Sequence, residues 1–292
     1  MRITIDDNSG FCFGVVRAIG EAEQALERVG EVYSLGDIVH NRVEVQRLER
    51  LGLHTVTLED MTALGGRTLL IRAHGEPPQT YHRAAELGIT LIDATCPVVA
   101  RLQRRVREAY EKMRQVGGSV VLLGKRGHAE VVGLTGQVGD DVIVVETEAD
   151  IEAVNFAAPI YFLSQTTQSI DLFNRLGQII VERADKPENV VIDDTICRRV
   201  AGREQLLASF SKGVDVVIFV AGKKSSNGKV LCDVCRRANG RTYNIEDEAE
   251  LEASWFVGAE SVGVCGATST PRWLMERVAE AIGNLVGNEI KD

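Results

Sequence analysis

Short apolar runs rich in β-branched residues alternate along this chain with longer segments in which apolar residues recur at helical spacing. The first pattern predicts strands and the second predicts amphipathic helices. Strands are predicted at RITI, VYSL, TLLIRA, ITLIDA, SVVLLG, DVIVVE, IYFLS, VVID, DVVIFVA, RTYNI and SVGVCGA. Helices are predicted over residues 15–29, 42–51, 78–87, 97–115, 169–184, 199–211, 229–238 and 271–286. This alternation indicates an α/β protein with largely parallel sheets.

The cysteines add a second regularity. Cys12, Cys96 and Cys197, which we call the junction cysteines, each lie just before or at the start of a predicted helix. Similar lengths of chain separate them, which predicts three α/β units of similar size and not two large ones. The predicted domains are residues 13–96, 97–193 and 194–282, with terminal segments 1–12 and 283–292.

The charge balance narrows the class of partner. Lys and Arg total 33 and Asp and Glu total 42, so the formal net charge of the 292-residue chain is −9. This balance argues against broad binding to nucleic acid or to anionic membranes. No window approaches the roughly 20 apolar residues of a membrane span, and the polar start MRITIDDNSG lacks the layout of a signal peptide. We therefore expect a cytoplasmic protein that binds any anionic ligand at a local site.

Polar and titratable side chains follow several of the predicted strands. The carboxyl ends of parallel strands are where α/β sheets usually place ligands and catalytic groups. The candidate residues at such positions are His40, His74, His128, Glu130, Thr166, Thr167, Ser225, Ser226, Asn227 and Ser269. A single loop histidine is more often an ordinary hydrogen-bonding residue, but several at equivalent positions favour a site.

The segments SSN (residues 225–227) and TSTP (residues 268–271) permit two interpretations. Each precedes a predicted helix, so N-capping explains one hydroxyl in each segment. Helix N-termini with neighbouring hydroxyls also bind anions, so the same residues are suited to a phosphate or diphosphate. The pattern alone favours neither interpretation.

The thiols also permit more than one interpretation. In a reducing compartment each of the six cysteines is a buried small hydrophobe, a reactive thiol or a metal ligand. Cys232 and Cys235 fall inside a predicted helix, and Cys265 falls in a predicted strand, so burial explains these three. For the junction cysteines, a helix N-terminus favours the thiolate. Three thiolates are one short of a closed Cys₄ site, and in iron–sulfur chemistry that shortage leaves one iron open to substrate.

Nine segments, in order along the chain, resemble one family. They are GFCFGVVRAI, GDIVHNRVEVQRL, RAHGEPP, LIDATCPVV, GKRGHAEVVGLTGQ, SQTTQS, DTIC, GKKSSNGKVL and GATSTPRWL. Together, from about residue 9 to residue 275, they resemble the 4-hydroxy-3-methylbut-2-enyl diphosphate reductase family. Members of that family are the last enzymes of the methylerythritol phosphate route to isoprenoids.

The resemblance implies a fold and a reaction. The implied fold is a pseudo-threefold cloverleaf of three similar α/β domains around a central 4Fe–4S cluster, one per subunit, with Cys12, Cys96 and Cys197 as its ligands. The implied reaction is the reductive dehydroxylation of 4-hydroxy-3-methylbut-2-enyl diphosphate to isopentenyl diphosphate and dimethylallyl diphosphate. The cluster relays two electrons, and its open apical iron takes the substrate's hydroxyl oxygen. The implied electron donor is a ferredoxin or a flavodoxin.

The resemblance also implies roles for the candidate residues. Glu130 matches the acid that delivers protons, and Thr166 matches the threonine that orders the hydroxyl end of the substrate, with Thr167 beside it. The residues that match the diphosphate-binding positions are His40, His74, His128, Ser225, Ser226, Asn227 and Ser269. The chain departs from the usual family pattern at Ala129 in place of Pro, at Gly228 in place of Ser, and in the segment RRVAGR after Cys197. None of these departures changes a matched cluster ligand or the matched proton donor.

Three alternatives to a reductase stay open. A non-redox hydro-lyase with an open iron abstracts hydroxide and needs no reductant. A non-enzymatic sensor binds a diphosphate, reports redox state and needs no proton donor. The third alternative is a globular α/β protein whose junction cysteines are simply buried.

Overall fold

The computed structural model describes residues 1–289, without the side chains of residues 226, 288 and 289. Its helices are α1 (Phe13–Val29), α2 (Arg42–Arg50), α3 (Pro78–Glu86), α4 (Pro97–Val116), α5 (Ala129–Thr135), α6 (Ile170–Arg183), α7 (Arg198–Ala201), α8 (Arg203–Lys212), α9 (Ser226–Ala238) and α10 (Arg272–Glu289). Its strands are β1 (Arg2–Ile5), β2 (Val32–Leu35), β3 (Leu53–Val56), β4 (Thr68–Ile71), β5 (Thr90–Asp93), β6 (Ser119–Leu123), β7 (Ile143–Val145), β8 (Ile160–Ser164), β9 (Val190–Ile192), β10 (Val216–Val220), β11 (Thr242–Ile245) and β12 (Ser261–Gly266).

Within residues 1–289, three four-stranded sheets share one strand order. The orders are β3-β2-β4-β5, β7-β6-β8-β9 and β11-β10-β12-β1. Neighbours such as β4 and β5, β6 and β8, and β10 and β12 run parallel. In the third sheet, the N-terminal strand β1 lies at the edge position that β5 and β9 occupy in the other two sheets. This repetition confirms the prediction of three similar α/β domains, while the boundaries 13–96, 97–193 and 194–282 stay a prediction.

By compactness the described chain divides into two units, so the expectation of three units and not two holds for the repeated sheets and not for the compact units. The first comprises Met1–Glu31, Asp37–His54 and the described chain from Gly202 onward, and it contains the sheet of β1 and β10–β12. The second comprises Val32–Gly36 and Thr55–Ala201, and it contains the other two sheets except for the start of β3.

In the first unit, both faces of β10 are buried. Val216, Ile218 and Val220 pack on one face with Leu274 and Val278 of α10. The alternate residues Val217 and Phe219 pack on the other face with residues of α8 and α9. This two-sided burial explains the uninterrupted apolar run VVIFV, which is typical of a central parallel strand. The same second face contains Cys232, Cys235 and Cys265, so the prediction that these three cysteines are buried is confirmed.

In the second unit, the sheet of β6–β9 has the same construction. Val121 and Phe162 pack with residues of α6, and Phe162 stacks on Phe173 with ring centroids 4.8 Å apart. Val120 and Leu122, on the opposite face, pack with residues of α4 and α5. Helices on both faces leave the carboxyl ends of the strands as the place where polar side chains gather.

Two elements were not predicted from the sequence. The strand β3, LHTV, carries exposed His54 and Thr55 and lacks a clear apolar alternation. The helix α5 has only seven residues, which is too short for a recognisable helical period. Among the described residues, no helix combines the length and apolar character needed to cross a membrane.

Candidate active site

Glu130 is a buried carboxylic acid in the first turn of α5. Its residue is 2% exposed. Thr166, just beyond β8, donates its backbone N–H to Glu130 Oε1 at 2.7 Å and its hydroxyl to Glu130 Oε2 at 2.8 Å. Burial raises the pKa of Glu130 to about 7, although the two hydrogen bonds from Thr166 lower it. Glu130 is therefore able to exchange a proton near neutral pH.

Thr166 also connects this acid to a junction cysteine. The backbone N–H of Cys197 donates to the carbonyl oxygen of Thr166 at 2.8 Å. Thr166 is itself buried. One residue thus holds both the carboxyl group of Glu130 and the backbone that carries the Cys197 thiol.

The three junction cysteines have equivalent surroundings. They follow the edge strands β1, β5 and β9, and each precedes a helix. The backbone N–H of each donates to the carbonyl oxygen of a residue two positions beyond the neighbouring strand. The pairs are Cys12 with Thr268 at 3.1 Å, Cys96 with Ala73 at 3.0 Å and Cys197 with Thr166 at 2.8 Å. All three cysteines are half-buried, and none is in a disulfide in the described chain. The structure therefore confirms that they lie at equivalent strand-to-helix junctions.

His128 and His74 lie close together in the second unit. His128 is the N-cap of α5, and its Nδ1 accepts the backbone N–H of Glu130 at 3.1 Å. The rings of His128 and His74 meet edge to face, with centroids 5.3 Å apart. Ala129 is the first residue of α5, a position that favours Pro but does not require it, so the departure from the family pattern leaves the helix start intact.

Two glycines allow the turn after His74 to lie close to α4 and α5. Gly75 has a φ of +70°, and a Cβ there would lie 2.5 Å from Gln103 Nε2. A Cβ on Gly133 of α5 would lie 3.2 Å from the carbonyl oxygen of Gly75. Glycine at position 75 thus satisfies both a left-handed backbone and a close side-chain contact.

In the first unit, the loops after β10 and β12 are hydrogen-bonded to each other. Ser225, 2% exposed, caps α9 by accepting the backbone N–H of Gly228 at 3.0 Å. Ser269 donates its hydroxyl to Ser225 Oγ at 3.3 Å, and Thr268 donates to Asn227 Oδ1 at 3.0 Å. The capping interpretation is therefore correct for Ser225, whereas Ser269 and Asn227 add polar groups that capping of α9 does not require.

The neighbouring positions in SSNG are only partly described. The side chain of Ser226 lies outside the described part of the structure. A Cβ on Gly228 would lie 2.9 Å from Ala221 Cβ and 3.0 Å from Ser225 Oγ. A serine at this position would require its neighbours to move, so local packing accounts for glycine here.

His40 lies against the loop after β10 in the first unit. A Cβ on Gly222 would lie 2.4 Å from the carbonyl oxygen of His40, so this close approach requires glycine. His40 and Gly222 line a cavity of about 400 Å³ together with Lys223 and Lys224. Both lysines form ion pairs with acidic residues, at 2.8 Å for Lys223 and 3.8 Å for Lys224, which reduces the positive field that they supply.

Gln165, which was not predicted as a site residue, lies beside His128. Gln165 is 2% exposed, and its Nε2 lies 3.1 Å from His128 Nδ1. Its Nε2 also donates to Thr167 Oγ1 at 3.2 Å, so Thr167 contacts Gln165 and belongs to the same group. An amide does not titrate, so the residue type of Gln165 gives no signal in the sequence. Its position does, because it is the first residue after β8 and precedes Thr166.

Known proteins resemble the whole chain. A family model described as LytB protein matches residues 3–283. A 4-hydroxy-3-methylbut-2-enyl diphosphate reductase from Chloroherpeton thalassium is 47% identical over 307 residues, covering 97% of this chain and 96% of that relative. An enzyme of the same name from Parabacteroides distasonis is 48% identical over 289 residues, covering 99% of this chain and 100% of that relative.

Solved structures give the same result. A structure of (E)-4-hydroxy-3-methyl-but-2-enyl diphosphate reductase, the terminal enzyme of the non-mevalonate pathway, has 34% identity and a TM-score of 0.73, covering 97% of this chain and 100% of its own. The Plasmodium falciparum structure of E-1-hydroxy-2-methyl-but-2-enyl-4-diphosphate reductase has 24% identity and a TM-score of 0.83, covering 96% of this chain and 87% of its own. This second similarity supports the fold. The chain belongs to the LytB protein family.

Proposed function

We propose that this chain catalyses the reductive dehydroxylation of 4-hydroxy-3-methylbut-2-enyl diphosphate to isopentenyl diphosphate and dimethylallyl diphosphate. The observation that carries the proposal is the buried carboxyl group of Glu130, bound by Thr166, whose carbonyl oxygen also accepts the N–H of Cys197. An acid that retains its proton near pH 7 is suited to protonating a leaving hydroxyl group. Full-length relatives that bear this enzyme's name support the assignment.

The proposed cofactor is one 4Fe–4S cluster per subunit, with Cys12, Cys96 and Cys197 as ligands. Cysteine thiolates are the usual ligands of such clusters, so the donor set fits. The three cysteines are half-buried and have equivalent backbone anchors at strand-to-helix junctions. When bound, the cluster supplies electron transfer and a Lewis-acidic iron without a protein ligand.

The acid proton of Glu130 has a defined position. Oε1 accepts the backbone N–H of Thr166, so the proton of the neutral acid belongs on Oε2. The Thr166 hydroxyl donates to Oε2 when Glu130 is ionised, and it accepts the hydrogen bond from Oε2 when Glu130 is protonated. A hydroxyl both accepts and donates, so Thr166 is placed to pass this proton to the hydroxyl group of the substrate. The allylic C–O bond breaks, two electrons enter, and the oxygen leaves as water. A second proton at either end of the resulting allyl system gives one or the other product.

We assign the binding of the substrate's diphosphate group to the remaining candidate residues. In the first unit, the polar groups of His40, Ser225, Ser226, Asn227 and Ser269 have this proposed role. In the second unit, His74 and His128 have the same role. Fixed N–H and O–H donors orient a charged group without reorganisation during the reaction, and this orientation holds the reacting end of the substrate in place.

The proposed electron donor is a ferredoxin or a flavodoxin, and the proposed location is the cytoplasm. Both assignments follow from the family resemblance. The reaction needs two electrons that the chain's own side chains do not supply, so a reduced partner is part of the proposal.

The test begins with anaerobic purification and measurement of iron and acid-labile sulfide. We expect a coloured protein that converts the substrate only with a dithionite-reduced donor. Cys96→Ser is expected to lose the cluster, because it removes a ligand. Cys232→Ser alters a buried thiol of the core, and we expect this variant to retain the cluster. Its free energy of unfolding should fall by at most about 1–3 kcal/mol, because the variant buries a hydroxyl group.

Each alternative gives a different outcome in the same experiments. Turnover without a reductant would identify a hydro-lyase. Full output from Glu130→Gln would support a sensor. A colourless protein without iron or sulfide after cluster reconstitution would overturn the proposal, because it would show that the junction cysteines are not cluster ligands.

A further inference from the structure

The orientation of the Gln165 amide is fixed by its neighbours. Its Oε1 lies 3.2 Å from the backbone nitrogen of Lys125, and a backbone N–H only donates. The atom facing Lys125 is therefore the oxygen. The amide of Gln168, 3.3 Å away, also donates to this oxygen. The NH₂ group of Gln165 must then face the other way.

That NH₂ group has two acceptors. One is the hydroxyl of Thr167 at 3.2 Å, and the other is Nδ1 of His128 at 3.1 Å. Because Nε2 of Gln165 has hydrogens to donate and no lone pair to accept with, Nδ1 of His128 must act as the acceptor. Gln165 is 2% exposed, so bulk solvent has little access to these groups.

A second donor reaches the same ring nitrogen independently. The backbone N–H of Glu130 also points to His128 Nδ1, at 3.1 Å. A hydrogen on Nδ1 would therefore face two N–H groups, one from a backbone that cannot rotate away. The single hydrogen of the neutral ring therefore belongs on Nε2.

We infer that Gln165 is a positioning residue that keeps the His128 hydrogen on Nε2. His128 then presents its Nε2 hydrogen to the substrate in a fixed orientation. This inference rests on the proposed role of His128 at the diphosphate.

Neutron diffraction from the substrate-free, anaerobically purified holoenzyme locates the hydrogen directly. We expect deuterium on Nε2 of His128 and none on Nδ1. In Gln165→Glu the carboxylate still accepts the Lys125 N–H, but it presents a charged acceptor to Nδ1. A hydrogen bond to a charged acceptor is about twice as strong as a neutral one, so we expect it to outweigh the remaining Glu130 N–H and deuterium to appear on Nδ1. Deuterium on Nδ1 of the wild-type protein would overturn the inference, whether or not the protein proves to be a reductase.

Steady-state kinetics separates this role from packing. Gln165→Met removes one donor, and we expect KM to rise about threefold to tenfold with little change in kcat. Gln165→Glu keeps the shape of glutamine but reverses the polarity toward Nδ1, so its rise in KM should be larger. A packing role predicts the opposite order, because glutamate has the shape of glutamine. The exposed Gln178→Met is the matched control and should leave both constants unchanged.

Discussion

Thr166 donates both its backbone N–H and its hydroxyl to the carboxyl group of Glu130. The two residues follow neighbouring strands, β6 and β8, which pair in parallel so that their carboxyl ends lie together. Burial raises the pKa of Glu130 and the two hydrogen bonds lower it, and burial is the larger effect. The result is an acid whose pKa, about 7, matches the pH at which general acids are most effective.

Glu130→Gln is expected to lower kcat at least about 100-fold while iron and sulfide content stay at the wild-type level. Glutamine fits the same space, because its oxygen accepts the Thr166 N–H and its NH₂ donates to the Thr166 hydroxyl, but it has no acid proton. The exposed Glu152→Gln is the control. A Glu130→Gln protein with wild-type turnover would contradict the role of Glu130 as proton donor.

The raised pKa of Glu130 also predicts the direction of a pH effect on stability. Its pKa moves from 4.5 to about 7, so the folded protein binds this proton more tightly than the unfolded chain does. The stabilisation of the folded protein by this pKa shift is fully present below pH 4.5 and is lost as the pH rises through about 7. Relative to Glu130→Gln, the wild-type free energy of unfolding should fall by up to roughly 3 kcal/mol between pH 5 and pH 8 in urea titrations. A difference that stays constant over this range would show that Glu130 does not titrate there.

Thr166→Val removes one hydrogen bond that lowers the pKa of Glu130. We expect the remaining activity to persist to higher pH, with its alkaline limb shifted upward by about one unit, because a hydrogen bond to a charged group contributes about 1.5–3 kcal/mol. The matched control is Thr167→Val, whose hydroxyl contacts Gln165 and not Glu130. An equal shift in both variants would show that the effect does not come from the hydrogen bond to Glu130.

Gly75→Ala tests the close approach that places His74. Gly75 and Gly88 have similar positive φ angles, +70° and +66°, but only Gly75 has a side chain within contact of the missing Cβ. Both alanine variants bear the backbone cost of about 1–2 kcal/mol. Gly75→Ala should lose up to about 1–3 kcal/mol more, because the new Cβ would meet Thr95 Cγ2 at 3.1 Å as well as the amide end of Gln103. Urea denaturation measures the difference. Equal losses in the two variants would show that the turn relaxes without cost.

The sequence predicted most elements because each of them has a local signature. The run VVIFV in β10 is apolar at every position, as a strand buried on two faces must be, and Cys235 lies at a position that faces the core. The exceptions, β3 and α5, are short elements whose formation depends on pairing or packing with neighbours. The position of Gln165 was visible in the sequence, but its contact with His128 was not.

By itself the sequence determined the three similar α/β units, the junction cysteines and the residue types that follow each strand, because periodicity and position along the chain are local properties. Only the tertiary structure decided that Thr166 reaches Glu130 with two donors and Cys197 with its carbonyl oxygen. It also decided that Gln165 presents its NH₂ group to His128. These relationships depend on which strands are neighbours and on how deeply their ends are buried, since burial sets the pKa of Glu130 and fixed donors set the position of a proton.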